Sequence, residues 1–209
     1  MAVAATVWFF GASFGLVARA AGMGVAAPLV LSATTFAGSA QFAVTSILAT
    51  SGGAAAAIAA AVLLNARYAP ISISVAQLFH GHRLRRLAES QLIVDESWAL
   101  ASRGDGRFDR RLLIGAGLLL YAAWLGGTAV GVFAGKALGD PKDLGLDGAF
   151  PALFLALLVP QVRTRQAALA AVLGGAIALA LVPVTPPGVP IVAASAACLL
   201  GLRRGEDEA

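Results

Sequence analysis

The run from Ala54 to Phe79 reads AAAAIAAAVLLNARYAPISISVAQLF, and its only charged side chain is Arg67. As a transmembrane helix this run puts a guanidinium near the bilayer midplane. Insertion scales set the cost of that at roughly 2.5–3.5 kcal/mol. A chain that keeps such a residue is expected to use it, so the fold and the function both turn on whether the helix is real and what Arg67 meets.

Composition supports the membrane. The 209 residues are 59% hydrophobic and 12% charged, where a soluble domain carries about twice that charge. The net charge of +4 does not point to nucleic acid, because the charges sit in short clusters between apolar runs. Cys198 is the only cysteine, which excludes an intrachain disulfide and a cysteine-based metal site.

Seven apolar runs follow: Ala2–Ala18, Gly24–Thr50, Ala54–Phe79, Leu112–Gly135, Leu144–Val162, Ala167–Val184 and Gly188–Leu202. Each is close to the roughly 17–25 residues that a crossing needs, the last being short. Seven crossings put twelve of the thirteen arginines on one side, the exception being Arg67. The positive-inside rule then predicts an outside N-terminus and a cytoplasmic C-terminus. Six crossings with one re-entrant segment is the competing count. The expected fold is all-α: a polytopic membrane helix bundle of about seven spans forming a single transport domain over 1–209. The polar segment 80–111 reads as a cytoplasmic loop carrying a short surface helix, with Arg85 four residues before Glu89.

Trp8-x-x-Gly11-x-x-x-Gly15-x-x-Ala18 recurs as Trp124-x-x-Gly127-x-x-x-Gly131-x-x-Ala134, at a constant offset of 116. In the seven-span topology the two copies run in opposite directions, which predicts inverted repeats with halves 2–79 and 112–184. The alternative is convergence on close helix packing. Each copy precedes an interrupted segment. Gly24–Thr50 holds Pro28, Ser32, Thr34, Thr35 and Gly38-Ser39-Ala40-Gln41; Leu144–Val162 holds Pro151 and Pro160. Paired broken helices point to a midplane binding site, because a break frees backbone donors and acceptors.

Every Asp and Glu falls in a loop or tail except Asp147, at the outer end of the fifth run. The expected partners of Arg67 are therefore carbonyls, hydroxyls, amides or a bound anion, and a guanidinium suits a carboxylate best. Structural pairing with backbone or with another subunit is one alternative; an early helix end at Pro70 is the other. No His, Asp or Glu lies deep in a run, so an enzyme is not expected, and neither is a cofactor or a metal. His80-Gly81-His82 reads as an interfacial pair, and phosphate-binding glycine loops are absent.

Phe14-Gly15, Phe36-Ala37-Gly38-Ser39-Ala40-Gln41, Leu64-Asn65-Ala66-Arg67-Tyr68 and Asp95-Glu96-Ser97-Trp98 together resemble the AzlC family. These are the large subunits of branched-chain amino-acid exporters of bacterial and archaeal inner membranes. The resemblance implies a secondary transporter in the cell inner membrane that exports Leu, Ile, Val or close analogues with a small AzlD-type subunit. Arg67 is then expected to contact or gate for the substrate carboxylate, with Asn65 and Tyr68 flanking it. Thr35, Ser39 and Gln41 are candidates for the ammonium group, and Phe36, Phe42 and Phe14 for the apolar wall. The alternatives are a structural or assembly subunit of a membrane complex and a transporter for another small carboxylate-bearing solute.

Overall fold

The computed structural model describes residues 2–104, 106–134, 165–185 and 189–197, together with 155, 158, 159 and 162. The expected break at Pro151 and Pro160, the outer residues Lys136 to Asp147, and Cys198 lie outside them. The chain is all-α, with a two-stranded ribbon among the described residues. The elements are α1 (Ala2–Ala20), α2 (Ala26–Thr35), α3 (Gly38–Ala49), α4 (Ala54–Asn65), α5 (Tyr68–Val75, extended by a 3-10 turn over Ala76–Leu78), α6 (Arg83–Ser90) and α7 (Asp95–Ala101). There follow β1 (Ser102–Gly104), β2 (Arg107–Phe108), α8 (Arg110–Ala134), α9 (Arg165–Leu181) and α10 (Val189–Ser195). Among the described residues, α1 and α8 are long and apolar enough to cross a membrane. The α4–α5 pair, bent by 42°, makes a third if it counts as one span.

The repeated glycines explain how α1 and α8 meet. A Cβ at Gly11 would collide with the Trp124 carbonyl, and one at Gly15 with that of Thr128. One at Gly127 would collide with the Trp8 carbonyl, and one at Gly131 with that of Ala12. Each glycine of one copy thus faces the other copy at the same offset, and the two backbones touch with no side chain between them. Helices in lipid gain little from hydrophobic burial against each other, so such close approach is what holds them together.

The same contacts set direction. From Gly11 to Gly15 the facing residues advance from Trp124 to Thr128, so α1 and α8 run the same way. The opposite orientation expected for the two copies is therefore corrected for this pair. The reason lies in the second apolar run, which does not cross. Gln41 Nε2 donates to Ser32 Oγ at 3.0 Å, although nine residues of continuous helix would hold them about 13 Å apart. Thr45 Oγ1 reaches Met23 Sδ at 3.6 Å, which returns the end of α3 to the level where α1 finishes. So α2 and α3 form a hairpin that enters and leaves at one end of the bundle, the arrangement of the competing count.

Its tip is Phe36-Ala37. Phe36 takes a left-handed conformation with φ 38° and ψ 50°, a state that costs a non-glycine residue roughly 1–2 kcal/mol. Burial of its ring edge-to-face on Tyr121, with centroids 5.2 Å apart, holds it there. A single crossing then separates α1 from α8. α4 packs back along α3 through Ile47, Ala57 and Ala60, and α5 ends among Val75, Leu113 and Phe108 near the start of α8. The beginnings of α1 and α8 lie at one end, with the arginine-rich segment; Arg19 lies at the other. The one-sided arginine count therefore does not hold.

Within 80–111, the surface helix expected at Arg85 and Glu89 is α6, where Arg85 Nε donates to Glu89 Oε1 at 2.8 Å. Arg110 donates to the same carboxylate oxygen, pinning α6 to the start of α8. Asp109 caps α8, accepting from the backbone N–H of Arg111 at 2.9 Å and of Leu112 at 3.2 Å.

Candidate functional site

Arg67 stands in the break between α4 and α5. Its Nη2 donates to Ser39 Oγ at 3.2 Å and to Tyr68 Oη at 3.4 Å. The guanidinium lies 5.1 Å from the Tyr68 ring centroid, close enough for a cation–π contact. A Cβ on Gly38, the neighbour of Ser39, would meet the Trp124 ring. The guanidinium is therefore level with the middle third of α8.

Its strongest partner was not expected. Arg67 Nη2 forms an ion pair with Asp95 Oδ2 at 3.1 Å, so the reading that no carboxylate reaches Arg67 is overturned. Residues 91–95 do not stay in a solvated loop. Leu92 fills the space over Gly117, and Val94 joins the Phe14–Leu120 core cluster. Those α8 positions lie about 10–15 Å along the helix from Arg110. Gln91 Nε2 donates to the Thr34 carbonyl at 2.8 Å, fastening this segment to the hairpin tip. Ser97 Oγ accepts from the Val94 N–H at 2.9 Å, and Trp98 Nε1 donates to Ser74 Oγ at 2.9 Å. Together these bonds fix the first turn of α7 beneath Arg67.

Beside the ion pair, the hairpin and α4 flank a half-open groove of about 600 Å³, with Ile58 and Val62 largely exposed on its α4 side; its volume is within the size range of small-molecule sites. Its walls are apolar, from residues such as Leu31, Val44, Ile58 and Val62, and its polar groups come from Thr35, Gln41 and Asn65. Gln41 Oε1 and Asn65 Oδ1 are buried and accept no hydrogen bond. Gln41 is wholly buried. Leaving such an acceptor unpaired costs about 1–3 kcal/mol, so two together mark a place where a donor is expected.

The residues singled out in the sequence thus fall into three groups. Arg67 touches both Ser39 and Tyr68 at the α4–α5 break. Thr35, Gln41 and Asn65 line the cavity. Phe36 packs on Tyr121 in the core with Phe14 and Phe42, and is not among the cavity-lining residues. Sequence reasoning missed Asp95 and Ser32. Asp95 belonged to a quoted motif, Asp95-Glu96-Ser97-Trp98, but a charged stretch beside arginines reads as solvated connector. Ser32 is buried and joined to Trp124 Nε1 at 3.1 Å and to Thr128 Oγ1 at 2.9 Å, contacts that only the fold brings about.

Comparison with known proteins places this architecture. A membrane protein of Archaeoglobus fulgidus, itself described as uncharacterized, is 36% identical over 188 residues, covering 88% of this chain and 82% of the relative. Inner membrane protein YgaZ of Escherichia coli K12 is 29% identical over 185 residues, covering 79% of this chain and 72% of the relative. No solved structure matches. The family model described as AzlC protein matches residues 2–138, which takes in α1 to α8 and every site residue above. This chain therefore belongs to the AzlC family, a membership that supports a membrane transporter-like role.

Proposed function

We propose that this protein is a secondary transporter that exports branched-chain amino acids across the cytoplasmic membrane by alternating access, together with a small AzlD-type subunit. The observation that carries the reading is the cavity between the α2–α3 hairpin and α4. It combines aliphatic walls, two unpartnered amide oxygens and, at the neighbouring break, one guanidinium. A zwitterion with a branched aliphatic side chain satisfies all three. Arg67 takes the carboxylate, in exchange for Asp95, while Ser39 and Tyr68 hold the guanidinium in place. Thr35, Gln41 and Asn65 face the remainder of the solute. The arginine-rich segment 80–111 is assigned to the cytoplasm. The start of α1, at the same end, is then cytoplasmic too, in place of the outside N-terminus read from seven crossings.

Counterflow of labelled leucine and valine into liposomes, with and without the small subunit, tests this. Saturable flux is expected, with the half-saturating concentration raised at least about tenfold in Arg67→Ala. Absence of flux in either assembly would rule out the transporter reading and favour a structural subunit. Normal flux by Arg67→Ala would keep the transporter and remove the carboxylate role.

A further inference from the structure

We propose that Gln41 and Asn65 form an ammonium-accepting pair whose polarity is imposed by Ser32, so that the cavity selects its solute by the amine. This rests on the reading of the cavity as the substrate site, and adds which end of the solute is read and by what.

The order of donors starts at an indole. Trp124 Nε1–H can only donate, so Ser32 Oγ accepts from it, at 3.1 Å. Thr128 Oγ1 gives its single proton to the Trp124 carbonyl at 2.9 Å. Between Thr128 and Ser32, 2.9 Å apart, the donor is therefore Ser32. Its one proton is then committed, and towards Gln41 it can only accept. Gln41 must present Nε2 to Ser32, at 3.0 Å, which turns Oε1 away from Ser32 as the group without a partner. Ser32, Gln41 and Thr128 are wholly buried, so no solvent competes with this order.

The chemistry of the opening follows. Gln41 Oε1, fixed by this order, repels a carboxylate and welcomes a group with several N–H donors, and the Asn65 amide, whose Oδ1 also accepts no hydrogen bond, can offer a second acceptor. No acidic residue is among those lining the cavity, so the matching ligand is a primary ammonium held by hydrogen bonds rather than by an ion pair. Thr35 and Asn65 are also the last residues of α2 and α4, and the C-terminal ends of helices favour a cation. Ser32 is a positioning residue, acting through Gln41. A site built to bond an amine rejects the analogue that lacks it far more strongly than one that merely differs by a methylene. Branched 2-oxo acids, which share the side chain and carboxylate of these amino acids, are excluded.

The test is equilibrium binding of labelled leucine to the purified full chain in lipid nanodiscs, with two competitors. These are 3-methylbutan-1-amine, which has the amine alone, and 4-methyl-2-oxopentanoate, which has the carboxylate alone. Wild type should be displaced by the amine at concentrations at least about tenfold below those needed of the oxo acid. Asn65→Asp, which keeps the acceptor and the volume, should retain the amine. Asn65→Leu and Gln41→Met should weaken it about tenfold without improving the oxo acid. Ser32→Ala, which frees the Gln41 amide to turn, should narrow the amine-to-oxo-acid ratio severalfold, a selectivity that loss of packing alone would leave unchanged. Equal competition by the two compounds in wild type overturns the proposal without any variant. So does loss of leucine binding in a well-folded Asn65→Asp. If wild type binds the amine but neither binds nor moves leucine, the branched-chain reading fails and the amine site stands. If leucine flux is intact and the two competitors are equivalent, transport stands and the amine site fails.

Discussion

Arg67 and Asp95 meet at 3.1 Å, joining the 42° bend between α4 and α5 to the first turn of α7. The pair links three moving candidates at once: the α4–α5 break, the hairpin tip through Ser39, and the segment 91–95 that rests on α8. Its side chains are each about 40% exposed, so the contact is open to exchange rather than sealed in the core. A carboxylate-bearing solute that takes Asp95's place on Arg67 would release α7 from the hinge, a step that couples occupancy to motion.

Asp95 therefore competes with substrate for Arg67. Asp95→Asn should lower the leucine concentration giving half-maximal counterflow by about threefold to tenfold, since the binding-competent state no longer has to displace the ion pair. Maximal flux should fall in the same variant. Arg67→Ala should raise the half-saturating concentration at least about tenfold. An unchanged half-saturation value in Asp95→Asn would separate the ion pair from substrate binding.

Close contact at the glycines makes α1 and α8 intolerant of side chains. Gly127→Leu must push α8 off the Trp8 carbonyl, at a cost expected to exceed the roughly 1–3 kcal/mol of ordinary overpacking. Loss of most folded protein by size-exclusion chromatography is expected. Gly115→Leu, on the same helix with open space around it, should be recovered at wild-type yield.

Direction and hairpin can be read by labelling single cysteines in a Cys198→Ser background. Gly24→Cys and Gly53→Cys, both free of neighbours, should react from one side of the membrane, and Arg86→Cys from the other. Reaction of Gly24→Cys and Gly53→Cys from opposite sides would mean that the second run crosses after all.

Acid should loosen the segment before α8. Hydrogen bonds from Arg85 and Arg110 hold the Glu89 carboxyl below its ordinary pKa. Arg103 and the backbone N–H groups of Leu112 and Arg111 do the same for Asp109. A carboxyl depressed by folding adds stability that is complete above its unfolded pKa, about 3.9–4.3, and is lost as pH falls through the lower folded value. Tm by intrinsic fluorescence should stay level from neutral pH to about 5 and decline below about 4. Glu89→Gln and Asp109→Asn should each lower Tm at neutral pH and flatten that decline.

Particular residues show what could be read in advance. Arg67, Asn65 and Gln41 stood out because polar groups in apolar runs are costly and few, and all three lie at the cavity or its hinge. The glycine repeat signalled intimate helix packing, since only glycine permits backbone contact, but spacing carries no direction. Gly24–Thr50 is long enough for one crossing or for two short helices. The left-handed Phe36, the Gln41–Ser32 bond and the Thr45–Met23 contact distinguish them. Asp95 was hidden because its depth depends on Leu92 meeting Gly117, a contact between residues 25 apart in the chain.

In the proposed transporter, the space between the hairpin and α4 holds the transported amino acid. Ala61 lines it, and Ala61→Cys in the Cys198→Ser background can be labelled with a small maleimide in proteoliposomes. Leucine and valine should slow that labelling with the same concentration dependence as they show in counterflow, while 4-methyl-2-oxopentanoate should not. Labelling unaffected by leucine in a variant that still carries out leucine counterflow would place the substrate elsewhere and contradict the account.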